Sequence, residues 1–178
     1  MSKERAYLVI TAVGPDRPGI VSALSGRMHA AGANLEDSRM AVLGGEFALL
    51  LLVSGAESAL ARIEADASEA EAALGLRLLH KRTSGARSPR NVLPYSIRVS
   101  GFDRPGIVQA VTRILAERAV NVSSLESRLA YAPHSGTPLF VLEADLEVPS
   151  ELALSGLRRE LAAHCEQENL DLTLEARG

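Results

Sequence analysis

The chain has 178 residues, 47% of them hydrophobic, 3% aromatic and 23% charged, with a formal net charge of -3 and an isoelectric point near 5.8. An acidic balance lacks the basic face that gains from counterion release on nucleic acid, so direct DNA binding is not expected. The single cysteine, Cys165, excludes an internal disulfide and a cysteine-based zinc site, and the lack of tryptophan leaves few stacking platforms for bases or sugars.

The opening stretch "MSKERAYLVITAV" carries charges and then only a strand's length of apolar residues, too short for a signal peptide. No window approaches a membrane span, "FALLLLV" included, and the expected setting is a reducing cytoplasm. Ala6 to Val13 is rich in β-branched residues and stops at Gly14 and Pro15, which predicts a strand. From Pro18 the apolar residues Ile20, Val21, Leu24 and Met28 fall at helical spacing until Gly32. "ANLEDSRMAVL" and "EFALLLLVSG" flank Gly44 and Gly45, a pair suited to the positive φ angles of a tight hairpin. Leu60, Ile63, Ala67, Ala70 and Leu74 then form one helical stripe, and "LRLLHKR" returns as a strand.

The second half repeats this order. It predicts strand Tyr95 to Gly101, helix Pro105 to Arg118, strands Asn121 to Tyr131 and Leu139 to Glu147, helix Ser150 to Glu168, and strand Leu170 to Glu175. Leu154, Leu157, Leu161 and Cys165 share one helix face, which makes Cys165 a small core residue rather than a nucleophile. The order β-α-β-β-α-β written twice predicts an α+β protein of two ferredoxin-like domains, each a four-stranded antiparallel sheet with two helices on one face. The boundaries fall at 1–82 and 94–178, with the non-periodic 83–93 stretch as linker. The basic run "HKRTSGARSPR" from His80 to Arg90 is read as solvated linker.

The halves differ in one respect. Strand Leu139 to Glu147 alternates Leu142, Ala144 and Leu146 with Glu143, Asp145 and Glu147, so one sheet face is wet. "FALLLLV" is apolar on both faces, and Tyr7, Val9 and Thr11 add to the helix-free side, where the second half has Ser96 and Arg98. Such a face needs cover, and a second copy of the chain is the expected one.

"GPDRPGIV" at Gly14 recurs as "GFDRPGIV" at Gly101, 87 residues on, with Asp16 to Val21 unchanged at Asp103 to Val108. Each copy sits where a strand hands over to a helix. One reading is turn and cap chemistry, with Asp16 as the helix cap and Pro18 in the first turn. The other is a ligand site, in which Gly19 lets a carboxylate approach the free amides of the helix N-terminus. A P-loop would need a Gly-Lys-Ser/Thr ending that neither copy has, and Asp16 repels a polyanion, so a zwitterion suits the turn better than a phosphate. Asn34 and Asn121, also 87 apart, are either turn residues or suppliers of an amide oxygen to an ammonium group.

The stretches "VGPDRPGIVSALSGRMHAAGANLEDSRM" and "VSGFDRPGIVQAVTRILAERAVNVSSLESRL" resemble the opening halves of ACT domains, small ligand-binding modules that regulate amino-acid metabolism. Two such modules with nothing else are similar to the glycine cleavage system transcriptional repressor family. The resemblance implies a non-enzymatic regulator that binds a small amino acid, glycine or serine, and acts through a protein partner such as a DNA-binding activator, without a cofactor. It also implies a ligand lying between paired modules, against the strand-to-helix turn of one and the second strand of the other. Carried over by position, it nominates Asp16, Gly19, Ile20 and Asn34, and Asp103, Gly106, Ile107 and Asn121. Matching the "Ser-Arg" step at Ser38 with that at Ser127 predicts that the repeats diverge in spacing after the Asn. A homodimer is expected.

ACT modules are often attached to catalytic domains, including formyltetrahydrofolate deformylases and aspartate kinases, but here no residues remain for one. "DLEVP" at Asp145 only echoes a phosphatase motif, and His29, His80, His134 and His164 show no metal-ligand spacing. Two other roles stay open: a free-standing regulatory subunit of an amino-acid-metabolic enzyme, and a paired-domain scaffold whose sites are vestigial.

Overall fold

The computed structural model describes residues 5–85, 91–131 and 136–177. The chain divides into two compact units, Met1–Arg87 and Ser88–Gly178. The first comprises β1 (Ala6–Pro15), α1 (Ile20–Ala30), β2 (Asn34–Leu43), β3 (Glu46–Gly55), α2 (Glu57–Ala65), α3 (Ala67–Leu74) and β4 (Arg77–Thr83). The second comprises β5 (Val92–Phe102), α4 (Ile107–Glu117), β6 (Asn121–Tyr131), β7 (Pro138–Pro149), α5 (Leu154–Gln167) and β8 (Leu170–Ala176). Each unit is one antiparallel four-stranded sheet, ordered β2-β3-β1-β4 and β6-β7-β5-β8. This is the expected α+β arrangement, twice.

Period-2 alternation puts the core under the helices. In β1 the residues Leu8, Ile10 and Ala12 pair with Val53, Leu51 and Leu49 of β3, and all six are buried against Ile20, Leu24 and Met28 of α1. The second unit repeats this with Ile97 and Val99 under Val111 and Leu115, and with Leu157, Leu161 and Cys165 from α5. Cys165 is a core residue as expected, and burial pushes its thiol up. Gly44 and Gly45 both take positive φ, 62° and 87°, and close the β2–β3 hairpin.

Several elements depart from the sequence expectation. The stripe from Leu60 to Leu74 is not one smooth helix: ψ opens to -2° at Asp66, so α2 and α3 meet at a kink there. β5 begins at Val92 rather than Tyr95 because Pro94 costs the ladder no donor; β8 pairs only as far as Tyr95 with Ala176. α5 begins at Leu154 rather than Ser150, since a turn closed by Leu152 N–H on the Pro149 carbonyl precedes it. The expected linker is strand at both ends, with Thr83 in β4 and Val92 and Leu93 in β5. The basic run is likewise strand through Thr83, and Arg82 binds α2 through Glu64 at 2.7 Å and Glu57 at 2.9 Å. Ser84 and Gly85 follow the strand, and residues 86–90 of that run lie outside the described residues, as does His134.

Candidate functional site

The repeated phrase is a strand-to-helix turn whose positions have separable jobs. A Cβ on Gly14 would stand 2.8 Å from the Gly75 carbonyl oxygen, and one on Gly101 would stand 2.5 Å from Leu170 Cδ2, so the first glycine lets the turn press on the start of the last strand. Arg17 donates to the Ala73 carbonyl at 3.3 Å, and Arg104 pairs with Glu168, so the arginine ties the turn to the end of the last helix. Gly19 and Gly106 stand at the helix N-caps with φ of 91° and 97°, a conformation that favours glycine. Ile20 and Ile107 are 3% and 4% exposed, so their side chains belong to the core and only their backbone amides face outward.

Asp16 does not cap the helix. It lies three residues ahead of the Gly19 cap, is exposed, and its N–H binds the Gly45 carbonyl at 3.1 Å. Pro18 precedes the cap rather than filling the first turn. No side chain caps α1 or α4, and neither first turn holds an acid. The leading amides of each helix therefore lack an intrahelical or side-chain partner, beside a glycine whose Cβ position is open for 4 Å. That geometry suits one carboxylate, whose two oxygens accept from the amides while the helix dipole favours its charge.

The asparagines open β2 and β6 on the helix-free face. Asn34 Nδ2 donates to Glu36 Oε1 at 3.0 Å, and Asn121 Nδ2 donates to Glu147 Oε2 at 2.8 Å. In both units the amide nitrogen is thus spent on a carboxylate, which leaves the amide oxygen as the free acceptor. The carboxylate comes from different strands. In the first unit it is Glu36, set in a β-bulge between Leu35 and Asp37, which also accepts from the buried Ser54 hydroxyl and pairs with Arg5 at 3.4 Å. The Ser54 and Asn34 bonds hold the Glu36 carboxyl below the ordinary carboxylate range. In the second unit the bulge falls between Val122 and Ser124, where Ser123 occupies the place of Glu36 and Glu147 that of Ser54.

The two bulges are 87 residues apart, as the asparagines are, so the expected divergence in spacing does not occur. Pairing with the core strands matches Ser38 to Leu125, not to Ser127, because register follows the buried face and overrides the "Ser-Arg" likeness. Within a unit, however, the turn and the asparagine are not brought together. Asn34 lies beside Ser54, which pairs with Tyr7, while Asp16 follows the far end of the same strand. At about 3.3 Å per residue that is roughly 30 Å. A small zwitterion cannot touch both, so a site that uses both needs two units.

Comparison with known proteins agrees with this repeat. The ACT domain profile matches residues 6–80 and again residues 95–153. The glycine cleavage system transcriptional repressor of Escherichia coli (strain K12) is 32% identical over 165 residues, covering 92% of this chain and 86% of that one. The chain belongs to the tandem ACT-domain family of that repressor. A crystal structure of an unknown protein from Galdieria sulphuraria superposes with a TM-score of 0.81 at 33% identity, covering 98% of this chain and 100% of that one. Another crystal structure, provisionally named a glycine cleavage system transcriptional repressor, gives 0.71 at 30% identity, covering 97% and 98%.

The two ACT units differ in charge on their helix-free faces. In the second, Glu143 is held by Arg98 and by Arg128 at 3.0 Å, and Asp145 pairs with Arg177. These arginines, Arg128 foremost, hold the Glu143 carboxyl low. The Asp145 echo of a phosphatase motif is thus part of a wet strand face. Among the described residues no three His, Cys, Asp or Glu side chains gather as a metal site, and no helix is long and apolar enough to cross a membrane. Sequence reasoning missed Glu36 and Glu147; the Asn-x-Glu spacing at Asn34 was the available signal for the first, and Glu147 becomes visible only through strand pairing.

Proposed function

We propose that the protein is a non-enzymatic regulator that binds a small amino acid, glycine or serine, and passes its occupancy to a protein partner by contact. The observation that carries this reading is the pair of uncapped helix N-termini, each behind an open, positive-φ glycine. The ligand carboxylate sits on the first amides of α1 or α4, near Gly19 and Ile20 or Gly106 and Ile107. Its ammonium meets the oxygen of Asn34 or Asn121 and the neighbouring Glu36 or Glu147 from a second ACT unit. Asp16 and Asp103 flank the turns and disfavour larger anions. Ligand therefore binds one pairing of units more tightly than others and shifts the population toward it, and the partner reads the resulting surface. Kinship with a named transcriptional repressor supports a transcription regulator as that partner.

Thermal unfolding against the twenty amino acids, each at millimolar concentration, tests this. A ligand that binds only the folded form raises the midpoint, so glycine or serine should raise it and bulky amino acids should not. Gly19→Ala combined with Gly106→Ala, whose Cβ atoms meet no protein atom but strain the positive-φ backbone, should abolish the rise, with circular dichroism checking that the fold persists. A flat panel from a well-folded protein would move the weight to a scaffold role.

A further inference from the structure

Ser54 is the one polar or charged residue that is buried among the described residues. It stands between Tyr7 of β1 and Asn34 of β2, at the end of the sheet where the Asn34 site opens. A buried hydroxyl must find an acceptor, and this one donates to Glu36 Oε1. Asn34 Nδ2 donates to the same oxygen at 3.0 Å, and Arg5 Nη1 approaches it at 3.4 Å. The contacts that hold this carboxylate thus converge on one oxygen. Oε2 accepts no hydrogen bond among the described residues, and the Glu36 side chain keeps 29% of its surface exposed. Satisfying a hydroxyl does not require an acid here: in the second unit Ser123 Oγ donates to the Asp145 carbonyl at 3.2 Å. Glu36 therefore brings a charge and a spare oxygen that the packing of Ser54 does not need.

We propose that Ser54 is a positioning residue for the ligand: it locks Glu36 by Oε1, so that Oε2 is presented to the ammonium group of the bound amino acid. The inference rests on the binding reading above and adds the residue that sets head-group selection. Ser54 itself touches no ligand. A carboxylate already fixed by two hydrogen bonds loses little rotamer freedom when the ammonium arrives. The Ser54 bond foremost, then that from Asn34, also holds the carboxyl below the ordinary range, so it stays ionised in mild acid. The other charged and titratable groups on this face are Arg5 and Tyr7 beside it and, one row on, Lys81 and Asp37, which pairs with Arg39 at 3.1 Å. A hydroxy acid brings no cation to Oε2, so the first unit's half-site selects amino acids over hydroxy acids.

Calorimetric titration of the full chain with glycine and with serine, from about pH 7 to about pH 4, tests this in a Glu147→Gln background that removes the acid of the second unit. Both ligands keep their two charges across that range. Ser54→Ala leaves Glu36 solvated rather than stranded, and should weaken binding about three- to tenfold at neutral pH. It should also bring the acid loss of binding to a higher pH, because Glu36 then titrates nearer the ordinary carboxylate value. Glu36→Gln keeps an acceptor for Ser54 but not the charge, and should bind more weakly still and without this acid dependence. Ser123→Ala removes the corresponding hydroxyl of the second unit and should change neither affinity nor pH profile, with circular dichroism checking the fold of every variant. Three results would overturn the positioning role and leave amino-acid binding intact: parental affinity in Ser54→Ala or Glu36→Gln, weaker binding in Ser54→Ala with the parental pH profile, or a Glu147→Gln protein that binds nothing while the wild type binds. A wild type that takes up neither glycine nor serine would overturn both readings.

Discussion

Where the first unit sets Val9, Thr11 and Leu50 on its helix-free face, the second sets Ser96, Arg98 and Glu143, on the same backbone and in the same register. Under the helices the two hardly differ: Ile10 is matched by Ile97, Leu49 by Leu142, Ile20 by Ile107. The fold therefore depends on one face of each sheet, and the other is free to follow its surroundings. In the second unit that surrounding is water, and the charges are neutralised by arginines on neighbouring strands. In the first the two central strands carry Val9, Leu50 and Leu52, and the charges stand on the outer strands as Asp37, Arg39 and Lys81.

The comparison can be broken or sharpened by substitution, each read as the urea midpoint of the altered unit. Truncating the shared core has the largest effect: Leu49→Ala and Leu142→Ala should cost about 2 to 4 kcal/mol each, and nearly the same in both units. The first glycine of the repeated phrase comes next and should separate them. A Cβ on Gly14 meets a backbone oxygen at 2.8 Å, whereas that on Gly101 first meets the flexible end of Leu170 and finds the Asn169 oxygen only at 3.1 Å. Gly14→Ala should thus cost about 1 to 3 kcal/mol and Gly101→Ala clearly less.

Arg82→Ala removes a partly exposed, two-pronged contact with Glu64 and should cost about 0.5 to 1 kcal/mol. The same contact, chiefly the Arg82 hydrogen bond, holds the Glu64 carboxyl low. A carboxylate lowered on folding stabilises above its unfolded pKa and loses that contribution as pH falls through its folded value. Acid titration of the wild type should therefore weaken both units, through Glu36 and Glu64 in the first and Glu143 in the second, and Arg82→Ala should flatten the curve of the first only. The smallest change in stability, within about 0.5 kcal/mol, is expected on giving the first unit the second's face by Thr11→Arg with Leu50→Glu, a cross-strand pair.

The element order was legible because periodicity and glycine punctuation agree in both halves; Asn121 to Tyr131 matches its predicted strand at both ends. What the sequence concealed is local backbone geometry. Asp16 looked like a cap because aspartate is a good one, but the chain spends two more residues, Arg17 and Pro18, before the positive-φ glycine that starts the helix. The phrase looked like a binding motif as a whole, yet Gly14, Arg17 and Ile20 each answer to packing, which leaves the open amides behind Gly19 as the part free for a ligand. The β-bulges were invisible because a one-residue insertion leaves no compositional trace, and a chance Ser-Arg likeness pointed to a different alignment.

The exchange of carboxylate and hydroxyl around the two asparagines limits how these halves can have drifted apart since duplication. Replacing Ser54 by Glu alone would set two acids against one amide, and replacing Glu36 by Ser alone would leave Asn34 without its anchor. Neither half can borrow a single strand from the other: a chimera carrying β6 with β3 has no acid at this point, and one carrying β2 with β7 has two. At this point the neighbouring strands β2 and β3, like β6 and β7, are complementary only as pairs.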